Sequence, residues 1–137
     1  MNIFIDKTKL EEYANLVIKV GVNLQPEQEL VINADVSDCE FARIIAKVAY
    51  KNHAKKVTIM WRDELFTKLR YENENLEMLV NIPQYQIEER NYSVEKKAAY
   101  LCILSEDPNL MKDINPKILA ETSKAKNIAF QKFYDAS

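Results

Sequence analysis

Apolar residues with helical spacing predict the first element of the chain. They recur every three or four positions, as one face of a helix requires: Leu10, Tyr13, Ala14, Val17 and Val20. Thr8 and Glu11 have the spacing of a capping box, in which both side chains bind free backbone N–H groups at a helix start. Gly21 follows where a left-handed C-cap is expected. We predict a helix from about residue 8 to 20.

A strand, a helix and a second strand are predicted after Pro26. Short β-prone runs lie at Glu29–Asn33 and at Val57–Trp61. The segment between them begins with a second capping-box sequence, Ser37–Glu40, and ends near Asn52 and His53. Its apolar face is formed by Phe41, Ile44, Ile45, Val48 and Ala49. A βαβ unit of this kind places its two strands parallel in one sheet.

The second half of the chain predicts mainly helices with one further strand. Asp63 is expected to cap a short helix that carries Leu65, Phe66 and Leu69. A brief helix at Leu76–Val80, a polar helix at Gln84–Lys97, a buried strand at Ala98–Leu104, a turn at Asp107-Pro108 and a long helix at Pro116–Tyr134 follow. The inward residues expected in the last helix are Ile118, Leu119, Ala125, Ile128, Ala129 and Phe133.

This order of elements predicts an α/β fold. We expect a small doubly wound, mostly parallel sheet of three or more strands, flanked by helices and preceded by an N-terminal helix. Residues 1–137 are predicted to form one domain, because no repeat or flexible linker divides them. Sheets of this class usually hold about five or six strands. We therefore expect the chain to be a fragment of a longer protein.

Composition narrows the partners and the compartment. The 137 residues are 47% hydrophobic, which is typical of a folded domain, and carry a net charge of -2. Without a basic excess, no nucleic-acid partner is expected. The longest apolar run, Ala98–Leu104, is far shorter than the roughly 20 residues of a membrane span, so no membrane partner is expected. The first residues lack the pattern of a signal peptide, which favours the cytoplasm.

Few residues of the usual catalytic types are present. With Gly21 as the one glycine, no glycine-rich phosphate loop can be written. His53 is the one histidine, and beside Lys51 and Lys55 it suits a helix C-terminus better than a metal site. Cys39 and Cys102 lie far apart in the sequence, and we expect both to be reduced thiols in the core.

Two groups of polar residues follow predicted strands. Trp61, Arg62 and Asp63 lie at the carboxyl end of the second strand, the edge at which open α/β sheets bind ligands; alternatively Trp61 is a core or interdomain aromatic and Asp63 a helix cap. An anion site at the next helix N-terminus would use Asn33, Asp35 and Ser37, and the same residues are explained equally by a turn and a cap.

Charged residues of the second half have two interpretations as well. Arg70-Tyr71 would make an interdomain ion pair, or Arg70 is a solvated helical residue. The acidic residues Glu72, Glu74, Glu77, Glu88 and Glu89 are expected on solvated faces, with nearby opposite charge from Lys68, Arg70, Arg90, Lys96 and Lys97.

An ordered series of short segments resembles a known family. The segments are Tyr13–Gln25, Val31–Ala34, Trp61–Glu64, Leu69–Tyr71, Ile82-Pro83, Ala98–Leu101 and Asp107–Leu110. Together they are similar to the N-terminal region of the thermophilic metalloprotease family of aminopeptidases, the aminopeptidase S and T type. The resemblance covers nearly the whole chain.

The resemblance implies the N-terminal domain of a cytoplasmic exopeptidase that removes N-terminal residues from peptides. It implies two divalent metal ions, Zn, Co or Mg, in the parent enzyme. The family's ligands belong to a C-terminal catalytic domain, so no catalytic, cofactor-binding or metal-binding residue is carried over to these positions. The implied partners are that domain, a peptide substrate and a possible second copy of the chain. By itself the chain is not expected to hydrolyse peptides, and one histidine agrees with that expectation.

Two other functions remain open from the residues alone. A free-standing flavodoxin-like or receiver-like binding module would use Asp35 and Asp107 beyond the first and third strands as its acidic site. Receivers place paired acids directly after the first strand, where Asn33 and Ala34 stand. A structural or dimerising domain is the second alternative, and a large exposed apolar patch would favour it.

Overall fold

The computed structural model describes residues 6–104 and 107–136. Their contacts separate the chain into two compact units. The sheet unit holds the described residues of Met1–Asp63 and Lys96–Glu106, and the helical unit those of Glu64–Glu95 and Asp107–Ser137. Each unit is assembled from two separate stretches of chain. That these units belong to one domain stays a prediction.

The sheet unit is built on three parallel strands. They are β1, Glu29–Asp35; β2, Lys56–Arg62; and β3, Ala99–Cys102. The order is β2-β1-β3, so β1 is central, with Asn33 in register with Met60 on one side and Cys102 on the other. The predicted α/β fold with a parallel sheet flanked by helices is confirmed. The third strand is shorter than predicted, and Leu104 is exposed rather than buried.

Helix α1 spans Lys7–Leu16 and continues as a π-helical turn over Val17–Gly21. Its N-cap is Asp6, whose carboxylate accepts the Lys9 N–H at 2.9 Å, so the predicted Thr8 capping box is wrong. Gly21 is not left-handed, because the π-helical turn takes the place of the expected C-cap. The buried face is Leu10, Ala14 and Ile18, whereas Tyr13 and Val20 of the predicted face are exposed.

Helix α2 spans Cys39–Lys51 and covers one face of the sheet. Its buried residues are Phe41, Ala42, Ile45, Val48 and Ala49. All of them except Ala42 were predicted to face the core. Ile44 packs at the margin of this core. Leu30, Ile32 and Ala34 of β1 and Ala99 of β3 meet α1 and α2 in the same cluster. Alternate residues of β1 thus form the core, as the pleat of a strand requires.

The helical unit contains five helices among its described residues. They are α3, Glu64–Asn73; α4, Leu76–Val80; α5, Gln84–Glu95; α6, Pro116–Ala129; and α7, Gln131–Ala136. Asn75 and Asn115 cap α4 and α6 by accepting backbone N–H groups, and Pro116 occupies the first turn of α6. Leu79, Thr122, Phe130 and Phe133 are buried.

The last predicted helix is divided in two. Phe130 is the C-cap of α6, and α7 begins at the next residue. Phe130, at the break between the two helices, is buried in the core. Ile128 was predicted to face inward, but it is 67% exposed. Over residues 6–104 and 107–136, each helix is too short or too polar to cross a bilayer.

Candidate functional site at the carboxyl edge of the sheet

The strand order creates a crevice position at one edge of the sheet. The chain leaves β1 for β2 on one side, and β3 later joins β1 on the other side. In open α/β sheets, ligands bind outside the carboxyl ends of strands where the order changes direction in this way. Asn33 and Asp35 of β1, Arg62 of β2 and Cys102 of β3 lie near these ends.

Arg62 links the three strands across one face of the sheet. Its Nη1 donates to Asn33 Oδ1 at 2.6 Å and to Cys102 Sγ at 3.7 Å. Its Nη2 donates to the backbone carbonyl of Ile103. Asn33 in turn donates through Nδ2 to the Tyr100 hydroxyl at 2.9 Å. The guanidinium, the amide and the phenol therefore form one hydrogen-bonded group, which we name the Arg62 network.

Asp35 closes the turn that follows β1. Its carboxylate accepts the Ser37 N–H at 2.9 Å and the Ser37 hydroxyl at 2.5 Å. Asp35 thereby caps a 3-10 turn, Val36–Asp38, that leads into α2. The strand extends two residues further than predicted, so Asp35 rather than Ser37 caps the first turn after it. The N-cap of α2 itself is Asp38, which makes no side-chain cap hydrogen bond. A carboxylate already accepts the Ser37 N–H, which favours the turn-and-cap interpretation over an anion site.

The comparisons with known proteins decide the family. The model of the thermophilic metalloprotease family (M29) matches residues 6–137. The chain belongs to this family.

Relatives and a solved structure agree with that membership. The chain is 38% identical to aminopeptidase AmpS of Bacillus subtilis over 85% of its own length and 28% of the relative's. It is 32% identical to aminopeptidase PepS of Streptococcus thermophilus, over 91% of the chain and 30% of the relative. The structure of AmpT from Thermus thermophilus superposes with a TM-score of 0.87 at 28% identity, over 95% of this chain and 33% of that one. The chain thus spans about a third or less of the length of these M29 proteins.

The described residues do not form a metal centre of the kind that the family description suggests. Among residues 6–104 and 107–136, no three or more His, Cys, Asp or Glu side chains converge where an ion would be held. The Arg62 network offers a guanidinium, an amide and a phenol, and its donors already bind oxygen and sulfur acceptors of the protein. Chemically, this arrangement ties the three strands together at their carboxyl edge.

Trp61 lies on the face of the sheet opposite the Arg62 network. It is 43% exposed and pairs in register with Ala34. Asp63 is exposed and directly precedes α3, the position predicted for its cap. Among the candidates at this edge, the structure brings Arg62 and Asn33 together in a hydrogen bond.

Arg70 forms an ion pair with Glu74. Its Nε and Nη2 donate to the two carboxylate oxygens of Glu74, the residue directly after α3, at 2.8 and 3.0 Å. This bond raises the pKa of Arg70 and lowers the pKa of Glu74. Burial raises the pKa of the neighbouring Tyr71 phenol. Arg70 is thus paired with Glu74 rather than solvated alone, and an interdomain ion pair at Arg70-Tyr71 stays a prediction. Glu72, Glu77, Glu88 and Glu89 are exposed as predicted.

His53 ends α2 in the backbone geometry of a Schellman motif. It has φ 68, its N–H donates to the Tyr50 carbonyl at 3.1 Å, and the Ala54 N–H donates to the Ala49 carbonyl at 3.0 Å. The His53 carbonyl accepts the Glu27 N–H at 2.8 Å. Backbone geometry explains this exposed histidine, in line with the prediction of a surface residue after the helix. The adjacent Lys51 binds Glu11 of α1 at 3.2 Å.

Three expectations about polar and sulfur residues need revision. Both cysteines are free, but Cys102 is exposed and Cys39 only partly buried, so neither lies fully in the core. Asp107 accepts the Asn109 N–H at 2.9 Å, and Asp35 accepts the Ser37 N–H, so each of these carboxylates closes a turn of its own. Tyr100 and Cys102 belong to the Arg62 network, which was not predicted. Both residues lie on a strand whose sequence is mostly apolar, so the sequence gives no sign of a polar role.

Proposed function

We propose that this chain is the N-terminal accessory domain of a metal-dependent aminopeptidase. Its role is to pack against the catalytic domain of the same polypeptide and to limit access of peptides to the active site. In this proposal two divalent ions, Zn, Co or Mg, are held outside residues 1–137, and the enzyme works in the cytoplasm. The chain alone does not hydrolyse peptides.

The observation that carries the proposal is the uncovered apolar face of α3. None of the ten residues of this helix is buried. Leu65, Phe66 and Leu69 are 69%, 57% and 55% exposed. They are three or four positions apart or adjacent, so they form one continuous patch on the helix surface. We name Leu65, Phe66 and Leu69 the α3 patch.

A helix in this state lacks the usual source of its stability. Helices of this length are marginal in water, and packing of an apolar face normally stabilises them. Burial of one Leu or Phe side chain contributes about 1.5–3 kcal/mol. The α3 patch therefore represents several kcal/mol of association energy that the chain itself does not use.

The partner that we expect to cover the α3 patch is the rest of the same polypeptide. Relatives named aminopeptidases are about three times as long as the segment they share with this chain. A covalently linked domain reaches a docking surface at a high effective concentration, so a patch of modest size is sufficient. No such advantage holds for a separate protein.

The first test is an aminopeptidase assay of two polypeptides. The 137-residue chain and the same chain extended to the length of its relatives are incubated with a peptide that has a free N-terminus, with added Co²⁺, Zn²⁺ or Mg²⁺. We expect hydrolysis by the extended protein alone. Hydrolysis by the 137-residue chain would contradict the accessory role, and inactivity of both would favour a binding module.

The second test compares unfolding free energies of variants in both polypeptides. Leu65→Gln and Leu69→Gln keep a good helix former, so they alter the α3 patch and little else. In the 137-residue chain each is expected to change stability by less than about 0.5 kcal/mol, as exposed substitutions do. In the extended protein each should cost about 1.5–3 kcal/mol.

Ile128→Gln is the matched control, because Ile128 is equally exposed but lies on α6. It should have a small effect in both polypeptides. Equal effects of the α3 variants and of Ile128→Gln in the extended protein would refute the α3 patch as the docking surface.

A homodimer is the second candidate role. Leu16 and Val20 are exposed and lie one turn apart at the end of α1 and its π-helical turn. Tyr13, one turn earlier, stacks on Phe41 with 5.6 Å between ring centroids and is exposed on its other side. Sedimentation equilibrium of the 137-residue chain and of Leu16→Gln would test it. A monomer at all concentrations would exclude a dimer formed through this surface.

A further inference from the structure

The helical unit has a cationic side chain on each of three helices. Arg70 is on α3, Arg90 on α5 and Lys126 on α6. We name these three residues the basic cluster. Arg70 is paired with Glu74. Within the part of the chain that the structure describes, Arg90 and Lys126 have no carboxylate at ion-pair distance.

Arg90 is held by an aromatic ring. Its Cζ lies 3.9 Å from the centroid of the Phe130 ring, and Nη1 donates to the Gln86 carbonyl at 3.5 Å. A guanidinium stacked on a ring keeps its remaining N–H groups in its own plane, directed away from the ring. Arg90 is partly exposed, so these N–H groups are within reach of a solute.

Lys126 emerges on the same side of its helix as Phe130. The Phe130 N–H donates to the Lys126 carbonyl at 2.8 Å, and residues four apart share one helix face. Lys126 is therefore a near neighbour of the stacked Arg90. Burial lowers the pKa of the Lys126 ammonium, and the positive charges of Arg90 and then Arg70 lower it further.

The charge of this region is unbalanced. Glu74 binds Arg70 through both oxygens, so its charge is already matched by that guanidinium. Two positive charges remain in a chain whose net charge is -2. Partial burial of like charges is unfavourable unless an opposite charge accompanies them.

We propose that Arg90 and Lys126 bind an oxyanion, either a carboxylate or a phosphate group. The planar guanidinium supplies paired donors suited to two oxygens of one group, and the ammonium supplies a point charge next to them. The anion neutralises the two charges that the protein leaves unbalanced. This site lies in the helical unit and does not depend on the proposed aminopeptidase role.

The test is an NMR titration of the 137-residue chain labelled with ¹⁵N. The probes are inorganic phosphate, N-acetylglycine, which has a carboxylate, and N-acetylglycinamide, which has none, all at ionic strength matched with sodium chloride. We expect saturable shifts at residues 126–130 and at the Arg90 side chain with phosphate, N-acetylglycine or both. The more tightly bound probe identifies the class of anion.

Variants separate a built site from general attraction. Lys126→Met should weaken binding about tenfold or more, since it removes a charged hydrogen-bond donor from the site. Lys126→Arg keeps the charge and should still bind. Lys124→Met removes an exposed lysine from the same helix and should leave binding unchanged.

The contrary results are equally definite. Equal shifts with N-acetylglycinamide, shifts that sodium chloride alone reproduces, or undiminished binding by Lys126→Met would each overturn the proposal. If Lys126→Met does not fold, Arg90→Gln provides the same comparison, with Arg43→Gln on exposed α2 surface as its control.

Discussion

The guanidinium of Arg62 on β2 donates to the side-chain oxygen of Asn33 on β1 across 2.6 Å, and the same side chain donates to the backbone carbonyl of Ile103, the residue after β3. One residue thus bonds to the central strand and to the chain at the end of the far strand. Asn33 Nδ2 extends the connection to Tyr100. The Arg62 network therefore stabilises the order and the register of the parallel sheet.

Replacement of Arg62 should destabilise the fold. In Arg62→Met, the Asn33 amide oxygen and the Ile103 carbonyl lose their donor in a partly buried place, which costs about 1.5–3 kcal/mol. Urea unfolding followed by circular dichroism measures this change. Arg43→Met, at an exposed position of α2, is the control and should stay within about 0.5 kcal/mol of the parent. Similar values for the two variants would show that the network contributes nothing.

Replacement of His53 by glycine should increase the free energy of unfolding, whereas replacement of Arg62 lowers it. His53 has φ 68, a left-handed conformation that is unfavourable for residues with a Cβ. His53→Gly removes that strain, although glycine also makes the unfolded chain more flexible, so we expect a gain of about 0.5–1 kcal/mol.

The matched control for His53 is Lys47→Gly within α2. Glycine in a helix interior costs about 1 kcal/mol, so this variant should be less stable than the parent. Thermal unfolding of both proteins compares them directly. A loss of stability in His53→Gly would mean that the imidazole itself makes a stabilising contact.

Substitutions in the turn before α2 can show whether Asp35 or Ser37 is the stabilising cap. Asp35→Ala should cost about 0.5–2 kcal/mol, because its carboxylate accepts both the N–H and the hydroxyl of Ser37. Ser37→Ala removes only the hydroxyl and should cost less. The free energies of unfolding in urea decide between the two residues, and a larger loss in Ser37→Ala would restore the original assignment.

Lys126 should make the free energy of unfolding depend on pH in the alkaline range. Its folded pKa is lowered from 10.5, so between that lowered value and 10.5 the unfolded chain binds more protons. Stability then rises with pH across this window. At neutral pH the charged ammonium destabilises the folded state, because of its burial and of the positive charges of Arg90 and Arg70.

The measurement for Lys126 is the difference in unfolding free energy between Lys126→Met and the parent at several pH values. The subtraction removes the contribution of Tyr71, whose raised pKa acts in the opposite direction above pH 10. The advantage of the variant over the parent should shrink as the pH rises toward 10.5. A constant difference would show that the ammonium is not destabilised by folding.

Sequence patterns predicted the elements of the sheet unit well. Continuous β-prone runs identified the cores of β1 and β2, and the amphipathic face of α2 was almost complete, because buried strands and helices leave strong local patterns. In α1, two apolar stripes share the same period. Periodicity alone cannot tell that Leu10, Ala14 and Ile18 are covered while Tyr13 and Val20 are not.

The candidate site was predicted in part. Arg62 and Asn33 were expected at the carboxyl edge because both follow or end apolar runs. Tyr100 and Cys102 were missed, since Tyr100 reaches Asn33, and Cys102 reaches Arg62, only through the pairing of β3 with β1, which no local pattern encodes. The exposed α3 patch has the pattern of a buried face, and only the structure shows that the 137-residue chain leaves it uncovered.

The central position of β1 also has a consequence for synthesis of the chain. Asn33 lies 29 positions from its partner on β2 but 67 positions from Tyr100 on β3. Because the ribosome delivers the N-terminal residues first, β1 and β2 can pair while the polypeptide up to Glu95 is still being made. Until β3 emerges, one edge of β1 has unpaired N–H and C=O groups, the kind of edge to which other strands add. The nascent protein is then most exposed to aggregation before Ala99 has been translated.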